Sequence, residues 1–451
     1  MRRRWIASIA CSGVAAALGI SWWRRGLRHV EPPPPPPRSA WSPGKRATGL
    51  PWDLFGILGT GQSLAVGVDG LPFLEGSHAA GHFQLGLGDA TLYDADDPEL
   101  SLVPLREPLR ELGRRYPGPY PFNIRGETPH TAMAIQIGAL CQAQLGRSCS
   151  TVHSVVGESG QGMRVIERDA RPTREVSHAW VASLFEARAI HRLARAAGKS
   201  YGVGAIVLTH GESDAERPEY ADELRRFWRD YNADLTGITG QAQSIPLFLT
   251  QQCSAPAQPG GVSAATLAAW QVARDSAGDI VCVGPRYQYA YADDHIHLVA
   301  KSYARLGEKY GQVIFQHVMQ GRAFRPLEPI SIERRGAALA VKFHVPVAPL
   351  RWDEALRGSN EARGFQLLHA GVPLTLASVE LEGSDSVLIV PHDLPAEPLV
   401  LRYALAATTP GPSGTRRFGQ LCDSDPFVGA HTHTAQPNYA VCFELPVPAA
   451  G

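Results

Sequence analysis

Ser63 sits in Gly59-Thr60-Gly61-Gln62-Ser63-Leu64, directly after the apolar run Leu54-Phe55-Gly56-Ile57-Leu58. A hydroxyl on a tight glycine-rich turn leaving a buried strand can face a cleft together with its own backbone N–H. Acyl transfer from such a serine needs a base, a carboxylate to orient that base, and donors for the oxyanion. Asp293-Asp294-His295-Ile296-His297 supplies the first two. His297 is the candidate base and Asp294 the candidate orienting carboxylate, projecting from the same side of a turn at a helix entrance. The backbone N–H groups of Ser63 and Gly160 are expected to face the oxyanion.

Two more segments complete the set: Gly157-Glu158-Ser159-Gly160-Gln161-Gly162 and His210-Gly211-Glu212-Ser213-Asp214. Gln62, Gln161, Gly160, Gly211, Glu212 and Asp214 are the candidates for oxyanion and substrate contacts. Each piece also has a plain reading. Ser63 can be a solvated turn serine, and Asp294 a capping aspartate beside a surface histidine. Glu212 can be a structural acceptor, and His210 and His153 ordinary histidines near strand ends.

Other chemistries fit less well. A dinucleotide fingerprint needs a third glycine where Leu64 stands. Gly198-Lys199-Ser200 ends like a phosphate loop, but Leu193 replaces the first glycine and the segment follows a helix. His295-x-His297 and His431-x-His433 lack partners at ligand spacing, and there is no C-x-x-C pair, so neither metal nor cofactor is expected.

The elements that must position these residues alternate. Strands are predicted at Leu54–Leu58, Thr151–Val156, Val203–Thr209, Pro246–Thr250 and Ile280–Val283. Helices are predicted at Ala132–Gln144 (entered through Thr128-Pro129), Val176–Ala197, Glu219–Leu235, Ala264–Ala277 and up to Val313. Apolar strands separated by helices imply a parallel sheet covered on both faces, with ligands bound beyond the carboxyl ends of the strands. The stretch Leu71–Tyr120 has no clear period and reads as a long excursion over the cleft mouth, with short strands inside it as the alternative. After Arg325, Leu339, Val341, Phe343 and Val345 alternate with Ala340, Lys342 and His344. Short runs at Val379–Leu381, Val387–Val390 and Leu399–Leu405 follow, which predicts a β-sandwich-like second domain.

At the amino terminus, Met1-Arg2-Arg3-Arg4 precedes Trp5–Trp23, which is free of charge, and Arg24-Arg25 follows. This predicts a signal anchor or a cleaved signal peptide in residues 1–30, hence an exported, periplasmic or extracellular protein, membrane-bound through residues 5–23 if uncleaved. Pro32–Pro37 predicts a stiff polyproline spacer within a linker over 31–49. Six of the seven cysteines lie beyond the apolar segment; locality in sequence pairs Cys141 with Cys149, Cys253 with Cys282, and Cys422 with Cys442. Basic and acidic residues balance at 43 each, so nothing points to a nucleic-acid partner.

The order of these segments resembles the SGNH (GDSL-like) hydrolases. Within them, Gly61-Gln62-Ser63, His210-Gly211-Glu212-Ser213-Asp214 and Asp294-x-x-His297 are most similar to the carbohydrate acetylesterases related to sialate O-acetylesterase. The resemblance covers roughly residues 50–315. It implies a flavodoxin-like three-layer α/β/α domain over 50–322, ahead of the β-rich accessory domain at 326–448. It also implies a metal-free serine mechanism acting on an acetylated carbohydrate or polysaccharide. One residue departs: the family's third block usually offers an asparagine amide to the oxyanion, and Asp214 stands here. A structural part is expected for Asp214, with Gln62 or Gln161 as third donor. The alternatives are a catalytically inactive carbohydrate-binding protein on the same fold, or a lipase or thioesterase of the same class.

Overall fold

A computed structural model describes residues 31–38, 41–110, 120–254, 262–356, 362–405, 407–411 and 414–449. Trp5–Trp23, its arginine flanks and Cys11 lie outside the described residues, and so does the expected signal segment. Among the described residues no helix is long and apolar enough to cross a membrane.

Seven strands form the central sheet: β1 (Leu54–Gly61), β2 (His78–Gly86), β3 (Ser101–Arg106), β4 (Thr151–Val155), β5 (Tyr201–Thr209), β6 (Leu247–Gln251) and β7 (Ile280–Pro285). Their order is β3-β2-β4-β1-β5-β6-β7, parallel throughout except for β3 at the edge. The five strands expected from sequence run in the order 2-1-3-4-5 of a doubly wound sheet. β2 and β3 correct the reading of Leu71–Tyr120 as a loop excursion. Gly81 interrupts β2 and Pro104 stands within β3, so the pair extends the sheet beside β4 without a long apolar period to detect.

Among the described residues six α-helices accompany the strands: α1 (Pro129–Leu140), α2 (Met163–Ile166), α3 (Ala179–Ala196), α4 (Tyr220–Thr239), α5 (Ala264–Asp275) and α6 (Ala300–Ile314). Alternation along each strand sends side chains to opposite helix layers. Phe55 and Ile57 of β1 pack with Met133 and Ile137 of α1 and Tyr310 and Val313 of α6. Leu54 and Leu58 join Phe185 of α3, Phe227 of α4 and Trp270 of α5. The result is a three-layer α/β/α sandwich. Thr128 caps α1, its side chain accepting from His130 N at 3.2 Å, with Pro129 in the first turn as expected. The helices α1 and α6 approach closely because Gly307 has no side chain; a Cβ there would lie 1.9 Å from Pro129 O.

From Glu328 to Val447 the chain forms antiparallel sheets. One four-stranded sheet contains Glu328–Arg335, Ala338–His344, Leu376–Glu382 and Ser386–Pro391; the other contains Val372–Pro373, Phe365–His369, Leu399–Tyr403 and Phe443–Val447. Leu339, Val341 and Phe343 of the first meet Phe365, Leu401 and Phe443 of the second in one buried core, which is the expected sandwich. That core is continuous with the α3–α5 layer. Gln251 exchanges two hydrogen bonds with the Cys442 backbone, at 2.8 and 2.7 Å. Glu308 of α6 is fully buried and accepts from His431 N, Thr432 N, Thr432 Oγ1 and Gln436 Nε2, at 2.6–2.8 Å.

The end of the proline run rests on the α/β part. Arg168 donates to Pro36 O, and Arg38 pairs with both Asp169 and Asp230. The cysteines beyond Cys11 are all free, so the expected disulfides are not formed. Moreover, Cys253 Sγ lies 3.8 Å from Cys442 Sγ, a partner 189 positions away, because β6 packs against the C-terminal segment. Locality in sequence could not show that approach.

Candidate active site

The segments singled out from sequence leave β1, β4 and β5 at their carboxyl ends, and these strands are neighbours in the sheet. Gly61 turns the chain at the end of β1 with φ +138°, and a Cβ there would lie 2.1 Å from Thr209 O of β5. Only glycine allows that approach. Gln62 N donates to Thr209 O at 3.2 Å, and Glu158 N donates to Gly61 O at 2.9 Å, so the β1 turn is held between its two neighbours. Ser63 follows, 4% exposed, and its carbonyl accepts from Val66 N at 3.3 Å and Val68 N at 3.1 Å. The N–H groups of Ser63 and Gly160 donate to no acceptor among the described residues.

The segment after β4 is held by three contacts. Glu158 is buried and accepts from Ser177 N, His178 N and Ala179 N, at 2.5–2.9 Å, at the entrance to α3. Burial raises the Glu158 carboxyl, and these donors work against the rise. His210 Nε2 lies 3.0 Å from Gln161 O, and its Nδ1 lies 2.9 Å from Tyr220 Oη. Burial lowers the His210 imidazole, which fits a neutral ring serving as a strut. Asp214 Oδ2 accepts from Met163 N at 2.7 Å. The carboxylate that looked out of place in the sequence is therefore occupied with the backbone just past Gly162.

Gln62 Oε1 accepts from Ser213 N at 3.2 Å, which turns its amide nitrogen the other way. Gln161 contributes its backbone carbonyl to His210. Gly211, at φ +127°, lets the chain turn beside Gln252. Glu212 faces Arg286, fully buried after β7, with Oε1 and Nη2 2.5 Å apart, though the pair lacks hydrogen-bond alignment. A buried pair of this kind needs both partners, which makes Glu212 structural here.

Asp294 and His297 lie on the segment between β7 and α6. Asp294 Oδ1 accepts from Ile296 N at 2.9 Å and His297 N at 3.0 Å, and Oδ2 lies 2.5 Å from His297 Nδ1. Partial burial works against the Asp294 carboxylate, but the backbone donors and the imidazole hold its carboxyl below the usual range. Asp294 thus fixes the ring and closes its own turn, while the helix cap proper is Val299. His297 Nε2 is buried and has no hydrogen-bond partner among the described residues. No hydrogen bond joins it to Ser63.

The two turns are nevertheless brought together. Tyr303 of α6 donates to Val68 O at 2.7 Å, and Asp69 Oδ2 lies 3.3 Å from His297 Nδ1. Glu127, at the entrance to α1, donates its N–H to Gly70 O at 2.7 Å. The α1–α6 contact therefore carries the base toward the serine turn. Asp69, Glu158 and Arg286 were not singled out by sequence reasoning. Asp69 lies six positions past Ser63 and Glu158 inside a quoted segment, whereas nothing local marks Arg286.

Asp69, Asp294 and His297 offer ligand atoms within 4.8 Å of one another. Both carboxylates address the same ring nitrogen, so the group is that of an oriented imidazole, and we assign no metal to it. A cavity of about 630 Å³ between α3, α4 and Pro36–Pro37 contains none of the candidate residues.

No protein-family model matches the chain, and no curated protein matches it. Among solved structures it is similar to a carbohydrate acetylesterase from Xanthomonas citri, with 13% identity, a TM-score of 0.51, and coverage of 87% of this chain and 80% of that one. A protein from Arabidopsis thaliana follows at 13% identity and TM-score 0.41, covering 59% of this chain and 99% of its own. A carbohydrate acetylesterase from Sinorhizobium meliloti follows at 14% and 0.31, covering 57% and 97%. The latter two superpose too loosely to add weight. The first covers more of the chain than the α/β part contains. The protein shares the fold of a carbohydrate acetylesterase, reaching into the β-rich part.

Proposed function

We propose that the chain is an exported serine esterase of the SGNH class, with a flavodoxin-like catalytic domain at 50–322 and an accessory domain at 326–448, that removes acetyl groups from carbohydrate hydroxyls. One observation carries the reading. Asp294 holds His297 Nδ1 at 2.5 Å, which leaves Nε2 buried and unpartnered in a segment packed against the serine turn. Ser63 Oγ attacks the acetyl carbonyl while His297 Nε2 takes its proton. The oxyanion forms toward the N–H groups of Ser63 and Gly160, with the Gln62 amide as third donor. The C–O bond to the sugar then breaks, and His297 returns the proton to the departing hydroxyl. Water releases acetate from Ser63 by the same route. Asp214, engaged with Met163 N, does not oppose the oxyanion. The apolar residues 5–23 are proposed as the export signal or tether.

The open Ser63–His297 pair favours a second reading, a carbohydrate-binding protein without turnover. Catalytic hydrogen bonds are often loose without substrate and tighten in the complex, so the first reading stands ahead. Acetate release from acetylated polysaccharide should fall by about 10⁶ in Ser63→Ala if the triad acts as a unit. Near-normal release in that variant would dismiss the mechanism. A wild-type chain that binds the polysaccharide but neither releases acetate nor reacts at Ser63 with a fluorophosphonate is the binding protein. Preference for long-chain acyl or thioester substrates marks a lipase or thioesterase.

A further inference from the structure

Two carboxylates reach the imidazole of His297. Asp294 Oδ2 lies 2.5 Å from Nδ1, and Asp69 Oδ2 lies 3.3 Å from the same nitrogen. They arrive from different elements. Asp294 belongs to the turn that bears the base, and Asp69 to the turn that bears Ser63. Asp69 adopts a left-handed backbone, φ +62°, and the preceding carbonyl is held by Tyr303 at 2.7 Å. That backbone is costly for most residues and tolerated by aspartate and asparagine. A neutral ring nitrogen carries one hydrogen, so the second carboxylate acts by its charge and as an alternative acceptor. Asp293 and His295 are the other ionisable side chains of the base's turn.

We propose that Asp69 is a second positioning carboxylate for His297, coupling the nucleophile's turn to the base. The inference rests on reading His297 as the general base. When the proton passes from Ser63 Oγ to His297 Nε2, the ring becomes an imidazolium faced by Asp69 as well as Asp294. Asp69 also keeps the proton on Nδ1, and Nε2 open, if the Asp294 contact loosens. A displacement of the serine turn moves Asp69 with it, so nucleophile and base stay in register.

The test uses the full chain carrying Asp69→Asn, Asp294→Asn or both. Asparagine retains the shape and the left-handed turn while removing the charge. The His297 imidazole is titrated by NMR, and kcat and KM are measured on an acetyl ester. Removing an anion that faces the ring should move its titration to lower pH than in wild type. In Asp69→Asn, kcat should fall about 3- to 10-fold with KM unchanged, the size of a modest electrostatic contribution. The loss should be larger in the Asp294→Asn background, where Asp69 is the remaining acceptor. An unmoved titration overturns the proposal, even if activity falls, since Asp69 would then serve only the turn. The titration needs no turnover, so it decides the role of Asp69 even if the chain proves not to be an esterase. Ser63→Ala decides that question separately.

Discussion

Gly61→Ala tests whether the serine turn depends on close approach between β1 and β5. The substitution meets two separate obstacles. At φ +138° an alanine is strained by about 1–3 kcal/mol. Its Cβ would also lie 2.1 Å from Thr209 O, a backbone atom that cannot rotate away. Relief requires the strand ends to part, which stretches Gln62 N to Thr209 O and Glu158 N to Gly61 O. Each lost bond is worth about 1 kcal/mol. The total is about 3–5 kcal/mol, a large part of the roughly 5–15 kcal/mol that holds a domain folded. Gly240 is the control, because its φ is +71° with nothing within 4 Å of a Cβ. Alanine there should cost about 1–2 kcal/mol from backbone strain alone. Urea unfolding of both variants, read by tryptophan fluorescence, should place the Gly61→Ala midpoint about 1–1.7 M below wild type, taking a slope near 3 kcal/mol/M. The folded fraction should also release acetate more slowly, because Ser63 N and Glu158 lose their common anchor. Gly61→Ala as mild as Gly240→Ala would refute the close-approach reasoning.

Two further outcomes follow from buried polar groups. His130 Nδ1 lies 2.9 Å from His153 Nδ1, and Thr151 Oγ1 links His153 to His82, at 2.8 and 2.7 Å. Burial lowers His82 to about 4 and His130 to about 3, with His153 also well below its ordinary value. Below pH 6.5 the unfolded chain binds protons that the folded chain does not. The stability these groups provide is therefore complete above pH 6.5 and is lost as pH falls toward 4. At pH 5 the loss is about 2 kcal/mol for each of His82 and His130. Thermal melts that stay level from pH 7 to pH 5 would contradict this. Glu308→Ala leaves four donors without their acceptor beneath the 429–436 segment. It should cost about 3–5 kcal/mol. Hydrogen exchange should show the loss concentrated at His431 and Thr432, and unchanged protection there would count against Glu308 as the anchor.

Periodicity made the sheet legible where strands were long and apolar on both faces. Thr151–Val156 and Val203–Thr209 were delimited to within two residues, because parallel strands buried on both sides admit little else. β2 and β3 were not legible. Gly81 and Gly86 fall within β2, and its buried and exposed residues do not alternate regularly, so no run or alternation marks it. Cys141 does meet Cys149 as locality suggested, but the approach of Cys253 to Cys442 was missed for a related reason. Neighbourhood in sequence says nothing about β6 meeting the C-terminal segment.

Residue types and their spacing determined which side chains could do chemistry: a serine after a glycine turn, and a histidine three positions past an aspartate. They also determined that five apolar strands would carry those turns to one end of a sheet. The tertiary structure decided how each polar group is used. It turned Asp214 toward Met163 N, paired Glu212 with Arg286, and set Asp69 beside His297. Spacing constrains what a residue can reach within its own turn. Partners drawn from strands and helices more than fifty positions away are fixed only by strand order and by which helices touch.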